Sequence, residues 1–173
     1  MPASLKELNS ASPQEAYDDL LACCGSSSWA ARLLNSRPFV DLRSLEETAD
    51  RLSRELTADD WLEAFASHPR IGQRKPGQSE SDGRASAWSA QEQVGTRNVP
   101  NETLTALAAA NLAYEERFGY IFIVCATGRS TEEMLAICHE RLNNDAQSEL
   151  LVAADELRQI AGIRLRRLTG VLD

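Results

Sequence analysis

Histidine is scarce in this chain. Its 173 residues include two, His68 and His139. They stand far apart and lack H-E-x-x-H spacing, so no zinc ligand set can be read from them. The four cysteines are Cys23, Cys24, Cys125 and Cys138, and no C-x-x-C occurs. Buried free thiols in a reducing compartment are the expectation. No G-x-S-x-G is present, which argues against a serine-hydrolase elbow. Positive charge is short, at 18 basic against 26 acidic residues and a net charge of -8. That disfavours a nucleic-acid partner, which needs a basic face. The short basic runs at 70–75 and 164–167 read as solvated surface. No apolar run approaches the ~20 residues that span a bilayer, and neither a signal core nor a targeting address is evident. The expectation is no membrane partner and a cytoplasmic location.

What the chain has in quantity is helix-start chemistry. Ser12-Pro13-Gln14-Glu15 combines a cap, a proline at the first helical position and a glutamate that reaches back. A short run follows Ser28 and stops before Pro38. Ser44-Leu45-Glu46-Glu47 and Thr57-Ala58-Asp59-Asp60 open two further runs, the second ending at His68, because Pro69 disfavours helical backbone before it. Further helices are expected from Asn101 to about Gly119, after Ser130-Thr131-Glu132-Glu133, and from about Ala146 to Leu168. Tyr120 to Ala126 is a continuous apolar run. Periodicity does not separate a buried strand from a helix tail there, and an extended, fully buried segment is expected. With no βα alternation and no repeat, the class is all-α: one domain over residues 1–173, a bundle of about seven to nine helices.

Two places carry chemistry. Ser67-His68-Pro69-Arg70-Ile71-Gly72 holds a histidine at a helix end, where it can exchange a proton near neutral pH. Favourable interaction with the helix dipole accounts for it equally well. Ser89-Ala90-Gln91-Glu92-Gln93 supplies a hydroxyl, a carboxylate and a carboxamide. It is also a capping box, so Ser89 and Glu92 have a structural reason to exist. A helix start offers free amide N–H groups to an anionic ligand as well. The polar, breaker-rich stretch at 72–87 is either a lid or a surface excursion. Gly128-Arg129-Ser130 lies before a helix start; it reads as a turn followed by a cap in preference to an anion-binding site.

These motifs resemble, in order, those of the OHCU decarboxylases, where OHCU is 2-oxo-4-hydroxy-4-carboxy-5-ureidoimidazoline. The matching elements are His68-Pro69, Ser89-x-x-Glu92-Gln93-x-Gly95, Asn111-x-x-Tyr114-x-x-x-Phe118-Gly119, Phe122 to Ala126, Gly128-Arg129-Ser130, Asn143-Asn144-Asp145 and Ile163-Arg164-Leu165. The resemblance implies an all-helical, cofactor-independent lyase of uric acid degradation, commonly a homodimer, that releases CO2 and yields (S)-allantoin. It places the proton donor on His68; Glu92, engaging the ring hydroxyl or a ureido N–H, is expected to share in catalysis. Substrate contacts fall on Pro69, on Ser89, Ala90, Gln91, Glu92 and Gln93, on Phe122, Ile123, Val124, Cys125 and Ala126, and on Arg164. Two rivals remain open at this point: a non-catalytic helical module that binds a purine-derived metabolite or a protein partner, and a hydrolase acting on a different ureide.

Overall fold

The computed structural model describes residues 4–72, 87–88, 91–92 and 100–172. Among them the architecture is all-α, with eight labelled helices and no strand. They are α1 (Leu5–Ser10), α2 (Pro13–Cys24), α3 (Ser27–Leu34), α4 (Leu42–Arg54), α5 (Ala58–Ser67), α6 (Asn101–Phe118), α7 (Thr131–Arg141) and α8 (Ala146–Leu168). Ala87, Trp88, Gln91 and Glu92 are also helical.

Most starts follow the local chemistry. Ser12 caps α2 and Ser130 caps α7 through full capping boxes, and Thr57 and Asp60 bond reciprocally at the head of α5. Each such cap contributes about 1 kcal/mol. Two expectations are corrected. Asp41, not Ser44, caps α4; Ser44 sits three residues in and bonds back to the Asp41 backbone. Ser26, not Ser28, caps α3. The capping box expected at Ser89 lies outside the described residues. The short helix α1 was not anticipated, although Ser4 and Glu7 form another box.

The chain divides into two compact units, residues 1–64 with 158–173 and residues 65–157. In the first, α2 packs on α3 and α3 on α4. Leu20, Trp29, Leu33 and Leu45 are fully buried there, and the Trp29 indole N–H reaches the Ala49 carbonyl at 3.1 Å. Cys23 and Cys24 are buried free thiols, as are Cys125 and Cys138 in the second unit. Burial pushes the Cys24 thiol up to about 12. No helix of the described residues is long and apolar enough to cross a membrane.

In the second unit, α6 packs on α7. Ile71, Leu107, Ala110, Tyr114, Phe122, Val124, Ala126, Met134 and Cys138 form one buried cluster. The stretch 121–126 has no helical structure, and Phe122 through Ala126 are all buried, which matches the expected extended apolar segment. Gly119 ends α6 in a left-handed conformation (φ 80°), its N–H bonded to the Glu115 carbonyl at 2.8 Å. That turn redirects the chain from helix into the segment.

Candidate active site

His68 sits just past α5. Its backbone N–H reaches the Phe65 carbonyl at 3.1 Å, so the last helical turn closes on the histidine before Pro69 ends it. The ring is half-buried, its Nδ1 lies 3.2 Å from the Ser67 hydroxyl, and its Nε2 is shielded from solvent. Two bonds fasten the turn that follows to α6. The Asn111 amide donates to the Ile71 carbonyl at 2.9 Å, and Arg70 pairs in bidentate fashion with Glu115 at 2.5 and 2.7 Å. Arg70, read as solvated surface, stays exposed while it makes this pair. Gly72 has φ +76°, and a Cβ there would stand 3.3 Å from Leu107, so this position is glycine for both conformation and space.

The segment 122–126 alternates. Phe122, Val124 and Ala126 belong to the core cluster, which leaves Ile123 and Cys125 outside it. This is the period of two expected of extended chain. Hence the first three contribute backbone, not side chain, to any ligand. Tyr114 stacks edge-on against Phe122 at 5.2 Å between ring centres. Arg141 lies over the Phe122 ring at 4.8 Å and donates to the Ile123 carbonyl at 2.8 Å.

Arg141 is fully buried and is neutralised by Glu149, which is 0% exposed, at 2.6 Å. Glu149 also accepts from the Tyr114 hydroxyl and, at 2.8 Å, from the Asn144 amide. Burial together with this bond holds the Tyr114 phenol far above its ordinary range, so it stays a donor. The charge pair is thus nearly saturated with hydrogen bonds, the condition under which buried ions are tolerated.

Further along α8, Glu156 accepts the Cys125 N–H at 2.7 Å and lies 3.3 Å from Arg129. The Cys125 thiol is pushed up chiefly by burial, with the negative charges of Glu156 and Glu92 adding to the effect. Gln91 is exposed and Glu92 half-buried on their helical stretch, and Pro69 is half-buried beside His68. Ser89, Ala90 and Gln93 lie outside the described residues, as does nearly all of the stretch 72–87 considered as a lid. Arg164 falls in the first unit, 3% exposed, where it donates to the Ala22 carbonyl at 3.2 Å.

The sequence reading missed Arg141, Glu149 and Glu156, and treated Asn111 and Tyr114 only as motif positions. A signal existed. Glu149 shares an i, i+4, i+8 stripe with Ala153 and Leu157, both buried, and a carboxylate on such a stripe demands a partner. None of the anticipated site residues lines the cleft of about 350 Å³ beside Trp29, Ala49 and Gly162 in the first unit. Its charged rim is taken up by the Asp50–Arg158 pair (2.5 Å) and the Glu46–Arg166 pair (2.6 Å).

Among the described residues the protein is all-helical, and one compact unit holds both the His68 turn and the clamped, non-helical segment 122–126. The chain belongs to the OHCU decarboxylase family, whose model matches residues 9–166. It is 34% identical over 151 residues to the uric acid degradation bifunctional protein TTL of Arabidopsis thaliana, covering 87% of this chain and 46% of that protein. It is 23% identical over 167 residues to the 2-oxo-4-hydroxy-4-carboxy-5-ureidoimidazoline decarboxylase of Halalkalicoccus jeotgali, covering 96% and 92%. It also resembles a crystal structure of OHCU decarboxylase in the presence of (S)-allantoin. There the TM-score is 0.75 at 32% identity, covering 88% of this chain and 98% of that one. Against the bifunctional relatives from Arabidopsis thaliana and Bacillus sp. (strain TB-90), the chain spans 46% and 32% of their length.

Proposed function

We propose that this chain, as one domain over residues 1–173, decarboxylates OHCU to (S)-allantoin with release of CO2, in the degradation of uric acid. The observation that carries this is the likeness to the OHCU decarboxylase structure solved with (S)-allantoin, which spans 98% of that chain. The family match over residues 9–166 supports it.

In this reading the bond to CO2 breaks and its electron pair passes into the ring C=N beside the carboxylated carbon. The substrate supplies its own electron sink, so no cofactor is called for. The protein must orient the carboxylate, stabilise developing charge and deliver one proton to one face. His68 is the donor. The tautomer whose Nδ1 accepts from the Ser67 hydroxyl is the one that carries its proton on Nε2, the edge shielded from solvent. Glu92 engages the ring hydroxyl or a ureido N–H. Pro69, the stretch Ser89 to Gln93 and the backbone of Phe122 to Ala126 fix which ring face meets His68. Donors and acceptors preset in a dry pocket are worth more than the same groups in water. We also place the protein in the cytoplasm, as a homodimer, with a small molecule and no nucleic acid or membrane as its partner.

Spontaneous decay of OHCU gives racemic allantoin. The test is circular dichroism of freshly generated OHCU, with and without protein. The reading predicts faster decay and one-handed product. Unaccelerated decay to a racemate contradicts it and favours a binding module, and release of ammonia or a ring-opened product favours a hydrolase. Sedimentation velocity decides the dimer.

A further inference from the structure

The groups around Cys125 are more than a scaffold needs. Ile123 C=O and Cys125 N–H stand two residues apart, a spacing that turns peptide groups to one edge of an extended chain. Arg141 of α7 takes the first at 2.8 Å and Glu156 of α8 takes the second at 2.7 Å. Arg129, from the turn that closes the same segment, lies 3.3 Å from both Glu156 oxygens. Any neutral acceptor would satisfy one N–H. A largely buried carboxylate, 12% exposed and costly to desolvate, satisfies the N–H and ties down the following turn at once. The peptide thus fixed is that of Cys125.

From this geometry we infer that Glu156 is a positioning residue for the decarboxylation: its bond to the Cys125 N–H sets where the Ile123–Cys125 backbone stands relative to Glu92 and the bound substrate. The inference rests on the decarboxylase reading. Glu156 does not touch substrate in it. It acts through the segment, and Arg129 keeps its carboxylate in place. A displacement of the order of 1 Å at a substrate-positioning element is enough to cost up to ~10²-fold in rate.

The experiment compares Glu156→Asp, Glu156→Leu and Glu156→Gln in the full chain, reading KM, kcat and allantoin handedness. Asp keeps the charge but withdraws the acceptor by one methylene. It is expected to raise KM roughly tenfold or more, the equivalent of a lost charge-assisted bond, and to lower enantiomeric excess. Leu is expected to do the same more strongly. Gln retains an acceptor for the Cys125 N–H and is expected to recover most of both. If Leu prevents folding, the Asp and Gln pair decides. A folded Asp variant with lowered melting temperature but wild-type KM and handedness makes Glu156 merely structural and overturns the proposal. Wild-type protein that leaves OHCU decay racemic overturns the decarboxylase reading itself, a different outcome from active wild type with unmoved variants.

Discussion

The His68 turn is fastened near the surface, whereas the Phe122–Ala126 segment is fastened by charges kept out of water. The turn depends on one buried amide, Asn111, and on an Arg70–Glu115 pair whose side chains remain 43% and 22% exposed. The segment depends on Arg141 and Glu149, at 6% and 0% side-chain exposure, and on Glu156 at 12%. A solvated pair is screened and contributes about 0–1 kcal/mol. A buried pair is costly to form but far costlier to halve. The element proposed to carry the proton can therefore adjust, while the element proposed to hold the substrate cannot.

The largest effect should come from the chemistry of the turn. His68→Ala is expected to lose about 10²–10⁴ in rate, the usual share of a positioned acid, with little change in unfolding midpoint. Stopped-flow decay and urea melts read the two separately. Next, Glu149→Ala strands a buried guanidinium, and about 3–5 kcal/mol should disappear from the urea-unfolding free energy. The same variant should expose Cys125 to alkylation at pH 8. In the wild type that thiol is held up by burial, and Cys24 and Cys138, pushed to about 12 and about 11, stay protonated there as well. Asn111→Leu leaves the Ile71 carbonyl without its donor and should cost about 1–3 kcal/mol. Smallest is Arg70→Met, at under about 1 kcal/mol and shrinking further in 1 M salt. A large, salt-independent loss from Arg70→Met would erase the contrast between the two regions.

Local chemistry made most of the helices readable. Ser12, Thr57 and Ser130 start helices where their own side chains say so, and Pro69 stops one. Ser44 misled because Asp41, three residues earlier, is also a cap, and the two bond reciprocally. His68 and Glu92, proposed to carry the chemistry, were legible as rare or clustered polar groups. Glu149 left a signal on its buried stripe that went unread, whereas Glu156 and Arg141 left none, because the backbone groups they bind lie far along the chain: Arg141 reaches back to Ile123 and Glu156 to Cys125. Helical spacing reports which face a residue occupies, not which backbone group arrives there from elsewhere.

The account stands most directly on where product binds. A crystal of the protein grown with (S)-allantoin should show the ligand against the His68 ring, the Glu92 carboxylate and the Ile123–Cys125 backbone. Allantoin ordered in the cleft beside Trp29 and Gly162, with no contact to His68 or Glu92, would contradict it.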